Sequence, residues 1–180
     1  MNIFVLDEDP IIAAQMMDCV RVPKMCVESA QMMASALRRH GATDEAMPLT
    51  KAGKPYKGGY KHHPCTVWAG DTWPNFNWLA RHAIGLCVEY RRRFGKEHAC
   101  YLPILHMQTL GRAIMLKPSN DILEHITGGE LTPFAQAMPD EYKDEDTVKA
   151  YRAYYKSKVD SPGGVHYRHT SPPDWWGVTA

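Results

Sequence analysis

Hydrophobic positions recur mainly at helical spacing, and polar punctuation divides them into a few long segments. The opening residues 2–6, NIFVL, are apolar and partly β-branched, and they predict a short strand or an extended arm. Asp9-Pro10 is a helix-start signal, because Asp caps free amides and Pro suits the first turn. The run that follows, IIAAQMMDCVRVPKMCVESAQMMASALRRHG, keeps helical periodicity to an Arg-Arg-His-Gly stop. Pro23 lies inside it and predicts a kink or break there, with a well-formed amphipathic helix over 24–40.

Residues 41–63 form a loop that is long for a compact domain. PCTVWA predicts a short buried helical turn, and Asp71 or Thr72 is placed to cap a helix over 73–94 that stops at Gly95. Its core candidates are Trp78, Leu79, Ile84, Leu86 and Val88, and Arg91, Arg92 and Arg93 suit a solvated C-terminus. Residues 96–117 continue in helical style with an interruption at Pro103, and 118–139 read as irregular, with turns at Gly128-Gly129 and Pro133. TVKAYRAYYKSK predicts a short helix capped by Asp146 or Thr147, its tyrosines inward and its basic residues on the other side. The tail 159–180 is irregular and carries Trp175 and Trp176, which favours packing back onto the body. The expected fold is mainly α: a compact single-domain helical bundle with a short N-terminal strand or arm and long loops.

Composition narrows the function. The 180 residues are 44% hydrophobic and 23% charged with a net charge of +1, so binding to a polyanion must come from local clusters. No apolar run approaches the roughly 18 residues of a membrane span, and the N-terminal residues lack the pattern of a signal peptide. Five cysteines without a C-x-x-C pair fit free, mostly buried thiols in a reducing cytoplasm. Histidine and cysteine spacings do not suggest zinc, Gly-rich nucleotide motifs are missing, and no cofactor or metal is expected.

Three stretches carry candidate chemistry. Lys24 and Glu28 share a helix face at i, i+4. They form either a solvated ion pair or an amine able to attack a sugar carbon or a carbonyl, with a carboxylate to manage charge and protons and Arg21 one turn earlier adding positive charge. Residues 51–65, KAGKPYKGGYKHHPC, contain four lysines, two tyrosines and no acid. That composition fits either a solvated surface loop or a phosphate-tracking loop in which Lys54, Lys57 and Lys61 hold phosphates and Tyr56 or Tyr60 stacks on bases, as Trp68 also can. His63 either contacts phosphate, polarises a leaving group, or makes a structural bond to backbone.

Several of these stretches are familiar together. MNIFVLDEDPIIAA, VPKMCVESAQMM, HHPCTVWAGDTWPNFNWL, AMPDEYK, AYRAYYKSK and PDWW resemble an uncharacterised tailed-bacteriophage protein family over most of the chain. More distantly, the chain is similar to phage pyrimidine-dimer DNA glycosylases of the endonuclease V type. That similarity rests on the order of N-terminal arm, helix with a central glutamate, loop, HPCTVWAGDTWPNFNWLARHAIGLCVEY and late Tyr-Tyr-basic segment. The resemblance implies a small helical protein whose N-terminal amine attacks the sugar of a damaged nucleotide, with Glu28 as the assisting carboxylate. One departure is Asn2, too large for efficient removal of the preceding methionine, so the amine is that of Met1 or the role falls to Lys24. The expected function is a DNA-directed glycosylase or glycosylase/lyase acting on pyrimidine nucleotides. The alternatives are a base-modifying enzyme acting on DNA or nucleotide, and a non-catalytic protein binding DNA or a host defence factor. The partner is DNA or a nucleotide, not a membrane, and oligomeric state is open.

Overall fold

The computed structural model describes residues 1–116 and 128–177, and the expectations for 117–127 and 178–180 lie outside the described residues. The protein is mainly helical, with no strand among the described residues. The helices are α1 (Pro10–Gln15), α2 (Arg21–Arg39), α3 (Pro64–Ala69), α4 (Trp73–Phe94), α5 (Tyr101–Met115) and α6 (Thr147–Lys156). α4 is the central element and packs against α1, α2 and α5, while α2 also contacts α3 and α5.

Local sequence explains most helix ends. The Asp9 carboxylate accepts from the Ile11 and Ile12 amides, Thr72 Oγ1 from Asn75, and Asp146 from Lys149. Gly95 ends α4 at φ +70°, a left-handed conformation that glycine adopts without strain. The N-terminal residues form a buried arm rather than a strand: Ile3, Val5 and Leu6 are inaccessible to solvent.

Four expectations are corrected. The first long run does not kink at Pro23; it breaks at 16–20. There the Asp18 carboxylate accepts from the Val20 and Arg21 amides (2.7 and 3.3 Å) and starts α2. Pro23 falls in the first turn of α2, where an amide has no partner within the helix, and Pro103 occupies the same place in α5 without interrupting it. Val88 is exposed, on the outer face of α4. Arg93 is buried rather than solvated: it pairs with Glu89 (2.8 Å) and donates to the carbonyls of Met17 and Gln15, closing the end of α1.

The core draws on methionine, with Met17, Met25, Met32, Met33 and Met107 fully or almost fully buried. Each such side chain contributes about 1.5–3 kcal/mol by leaving water. Ser29 Oγ and both ring nitrogens of His82 are buried without a hydrogen-bond partner among the described residues. The His82 ring stacks on Trp78 (5.2 Å between centroids), and burial lowers its pKa to about 3. Three contacts join the residues after α6 to the turn that precedes α2: Cys19 N–H donates to His166 O (2.7 Å), Tyr167 hydroxyl to Met16 O (3.0 Å), and Trp175 packs on Met16.

Candidate active site on α2

One face of α2 is polar along its length. Lys24, Glu28, Gln31, Ser35 and Arg38 recur every three or four residues. At about 100° per residue they fall within an arc of roughly 80°. Met25, Cys26, Ala30, Met33 and Leu37 point into the core. The polar stripe is met by the N-terminal arm at one end and by the lysine-rich loop at the other.

At the arm end, Glu28 is mostly buried, with 16% of its side chain exposed. Its two carboxylate oxygens each meet an amine: the Met1 amino group lies 3.5 Å from Oε2, and Lys24 Nζ lies 3.5 Å from Oε1. The amines differ in setting. Lys24 is 66% exposed, while the Met1 side chain is 2% exposed and its sulfur accepts from Thr66 Oγ1 (3.5 Å). The arm is anchored along its length. Asn2 Oδ1 accepts from the amides of Ile3 and Phe4, and Asn2 Nδ2 donates to Ala137 O (2.9 Å). Phe4 takes a φ of +38° and packs among Tyr151, Tyr154 and Tyr155. Arg152 Nε donates to Leu6 O (2.9 Å) and Trp78 Nε1 to Glu8 O (2.7 Å).

His63 borders this group. Its Nδ1 accepts from the Cys65 amide (3.2 Å) and caps α3. Its pKa is lowered, first by burial and then by the charge of the Met1 amine, with Glu28 opposing, so the ring is neutral at pH 7. The adjacent Cys65 thiol is pushed up to about 11 by burial and stays protonated, which removes it as a nucleophile.

At the other end, the loop is bonded to the stripe. Ser35 Oγ donates to Gly59 O and accepts from Gly59 N–H, both at 2.9 Å, and Arg38 donates to Tyr56 O (3.0 Å). Gly58 has φ +82°, and a Cβ there would stand 2.3 Å from Ser35 Oγ, so only glycine permits this approach. Arg38, Arg39, Lys57, Lys61 and His62 line a cavity of about 500 Å³ floored by Ser35 and Thr66. Its charge is partly offset by Asp44, which pairs with Lys57 (2.5 Å) and Arg38 (2.7 Å). The Lys57 hydrogen bond above all, and then Arg38, hold the Asp44 carboxyl below its ordinary value. Lys54 and Lys61 are exposed and make no ion pair among the described residues, and Tyr60 is 69% exposed.

Three expected contact residues are occupied elsewhere. Arg21 is buried: its guanidinium pairs with Asp18 (2.8 Å), donates to Gly164 O (2.9 Å) and lies over the Tyr155 ring. Trp68 is a core residue, edge-on to Trp78 and against Phe134. Tyr56 is half-buried, with its hydroxyl on Cys100 Sγ (3.7 Å). Arg152 on α6 and Lys158 just after it are likewise engaged, by Asp7 and Trp175 and by the Tyr154 ring. The structure adds Gln31, Ser35, Arg38, Arg39 and Asp44 to the site's neighbourhood. For the α2 residues the signal in the sequence is the polar stripe at alternating three- and four-residue steps, continued into an Arg-Arg pair; Asp44, in the loop beyond, carries none.

The family model for pyrimidine dimer DNA glycosylase matches residues 1–102, more than half of the chain. The chain belongs to this family. The matched region contains the arm, α1 to α4, the lysine-rich loop and every residue of the polar stripe. No curated protein and no solved structure matches the chain. For a pyrimidine dimer DNA glycosylase, the substrate class is DNA and the reaction class is removal of a damaged pyrimidine. Among the described residues, no helix is long and apolar enough to cross a membrane.

Proposed function

We propose that this protein is a DNA glycosylase with lyase capacity, in which the Met1 amine is the nucleophile and Glu28 the assisting carboxylate. One observation carries the reading: a mostly buried carboxylate holds two amines at 3.5 Å, beside a loop of exposed lysines on the same helix face. The neutral amine forms a bond to C1′ of the damaged nucleotide while the glycosidic C1′–N1 bond breaks. The pyrimidine leaves with the bonding electrons and takes up a proton. Glu28 offsets the positive charge that grows on the sugar and accepts the proton that the amine sheds. Opening of the sugar ring gives an imine. Water then returns amine and aldehyde, or loss of a C2′ proton expels the 3′ phosphate, which is the lyase outcome.

Met1 is favoured over Lys24 as the attacking amine because its arm is fixed by Asn2, Phe4 and Leu6, whereas Lys24 is largely solvated. Lys54, Lys57, Lys61, Arg38 and Arg39 hold phosphates, Tyr60 offers a stacking face, and neutral His63 borders the leaving group.

Borohydride reduction during turnover of a dimer-containing oligonucleotide tests this. A trapped protein–DNA adduct is expected, with peptide mapping assigning it to Met1. Mapping to Lys24 would exchange the roles of the two amines. Turnover without any adduct would overturn amine catalysis.

A further inference from the structure

Away from the polar stripe, the fold gathers soft metal ligands that lie far apart in sequence. Cys26 on α2, Cys87 on α4 and His98 in the turn before α5 bring two sulfurs and a ring nitrogen within 4.8 Å of one another. The two sulfurs are 3.6 Å apart. A tetrahedral zinc with Zn–S bonds of about 2.3 Å sets its sulfurs roughly 3.8 Å apart, so the pair already stands near that spacing. Cys100 lies two residues beyond His98, at the start of α5, and is buried. Its thiol meets the Tyr56 hydroxyl of the lysine-rich loop at 3.7 Å. The His98 ring is oriented by Tyr90, which meets it edge-on at 4.8 Å.

We propose that Cys26, Cys87 and His98, with Cys100 as fourth ligand, form a structural zinc site. Thiolate and imidazole donors select zinc over calcium or magnesium, and four protein ligands leave no open position for chemistry. Binding displaces the thiol protons to solvent. His98 Nδ1 now accepts the Cys100 amide (3.1 Å). Ligation through Nε2 moves the ring proton to Nδ1, so that contact is exchanged as the ion binds. The ion would tie α2 to α4 and to the start of α5, and through Cys100 and Tyr56 it would brace the loop. This role is independent of which amine attacks DNA.

The test uses the full chain, produced with added zinc and kept reduced without chelator. One equivalent of zinc per chain is expected by elemental analysis, falling by at least half in Cys87→Ser and in His98→Ala. His98 is half-buried, so its variant should fold even if the cysteine variant does not. Cobalt exchanged into the wild type should give an intense near-ultraviolet thiolate-to-metal band that Cys87→Ser diminishes. Substoichiometric zinc in the reduced wild type would overturn the site, as would zinc retained in full by a folded His98→Ala, Cys87→Ser double variant. So would a protein lighter by two hydrogens under the same conditions, which reports a Cys26–Cys87 disulfide instead.

Discussion

Two carboxylates near the start of α2 have opposite surroundings. Asp18 is fully buried and completely engaged. It accepts from the Val20 and Arg21 amides, from the Arg21 guanidinium, and from the Tyr155 hydroxyl, which in turn accepts the Asp18 amide. Burial and then the Asp18 charge push the Tyr155 phenol well above its ordinary value, so it remains a donor. Glu28, three turns further on, meets two amines at 3.5 Å, longer than the 2.7–2.9 Å usual for charge-assisted bonds, and keeps access to solvent. A saturated carboxylate holds a fold together. A loosely held one with amines beside it can exchange protons and answer a charge that develops on a bound sugar.

The sharpest break of that comparison is exchange of one carboxylate at a time. Glu28→Gln is expected to lower the rate of dimer cleavage by about 10²–10⁴-fold, with a melting temperature close to wild type. A steady-state assay beside a thermal melt checks both halves, and unchanged cleavage would remove Glu28 from the chemistry. Asp18→Ala should do the reverse. It leaves Arg21 charged and unpaired in the core and is expected to lose about 3–5 kcal/mol of stability, roughly 10 °C in melting temperature for a chain of this size. The fraction that remains folded should retain turnover per molecule.

A smaller effect is expected at the other end of the stripe. Lys54→Gln with Lys61→Gln should weaken binding to any DNA duplex and reduce the slope of log affinity against log salt by about 0.9 for each phosphate no longer neutralised. Lys57→Gln should change that slope less, because Asp44 already neutralises this lysine. Fluorescence anisotropy over a salt series measures both, and an equal change in the two variants would argue against a neutralised Lys57.

Near neutral pH the smallest effect belongs to His82, outside both clusters, whose contribution emerges only in acid. Its pKa falls from 6.5 to about 3 on folding, so the unfolded chain binds more protons across that interval. Stability therefore decreases as pH drops from 6.5 toward 3, by up to about 1.4 kcal/mol for each pH unit. Denaturant unfolding of wild type and His82→Leu should show a shallower acid-side loss in the variant.

The parts legible in the sequence were those set by neighbours along the chain. Asp9-Pro10, Thr72, Gly95 and Asp146 act within a turn of where they stand, and the helices they bound were readable. Lys24 and Glu28 were readable as a pair because helical geometry alone brings them together. The burial of Arg21 and Arg93 escapes a reading of the sequence because, beside the local carboxylates Asp18 and Glu89, distant carbonyls enclose them: Gly164 and Lys158 for Arg21, Met17 and Gln15 for Arg93. Trp68 looked free for a base because its covering ring, Phe134, lies 66 positions away in the sequence and carries no local signal. The Cys26–Cys87 contact spans 61 residues and leaves no spacing pattern behind.

The anchoring of the arm has a consequence for how the molecule matures. Asn2 is bonded to Ala137, 135 residues downstream, and Leu6 to Arg152, 146 residues downstream. During synthesis, the arm is thus made long before the segments that seat it. A nascent chain that has completed α1 to α4 still lacks the tyrosines and arginine that seat its beginning. The Met1 amine would settle beside Glu28 only after the segment through Arg152 has been made, so this pair is assembled late rather than at the outset.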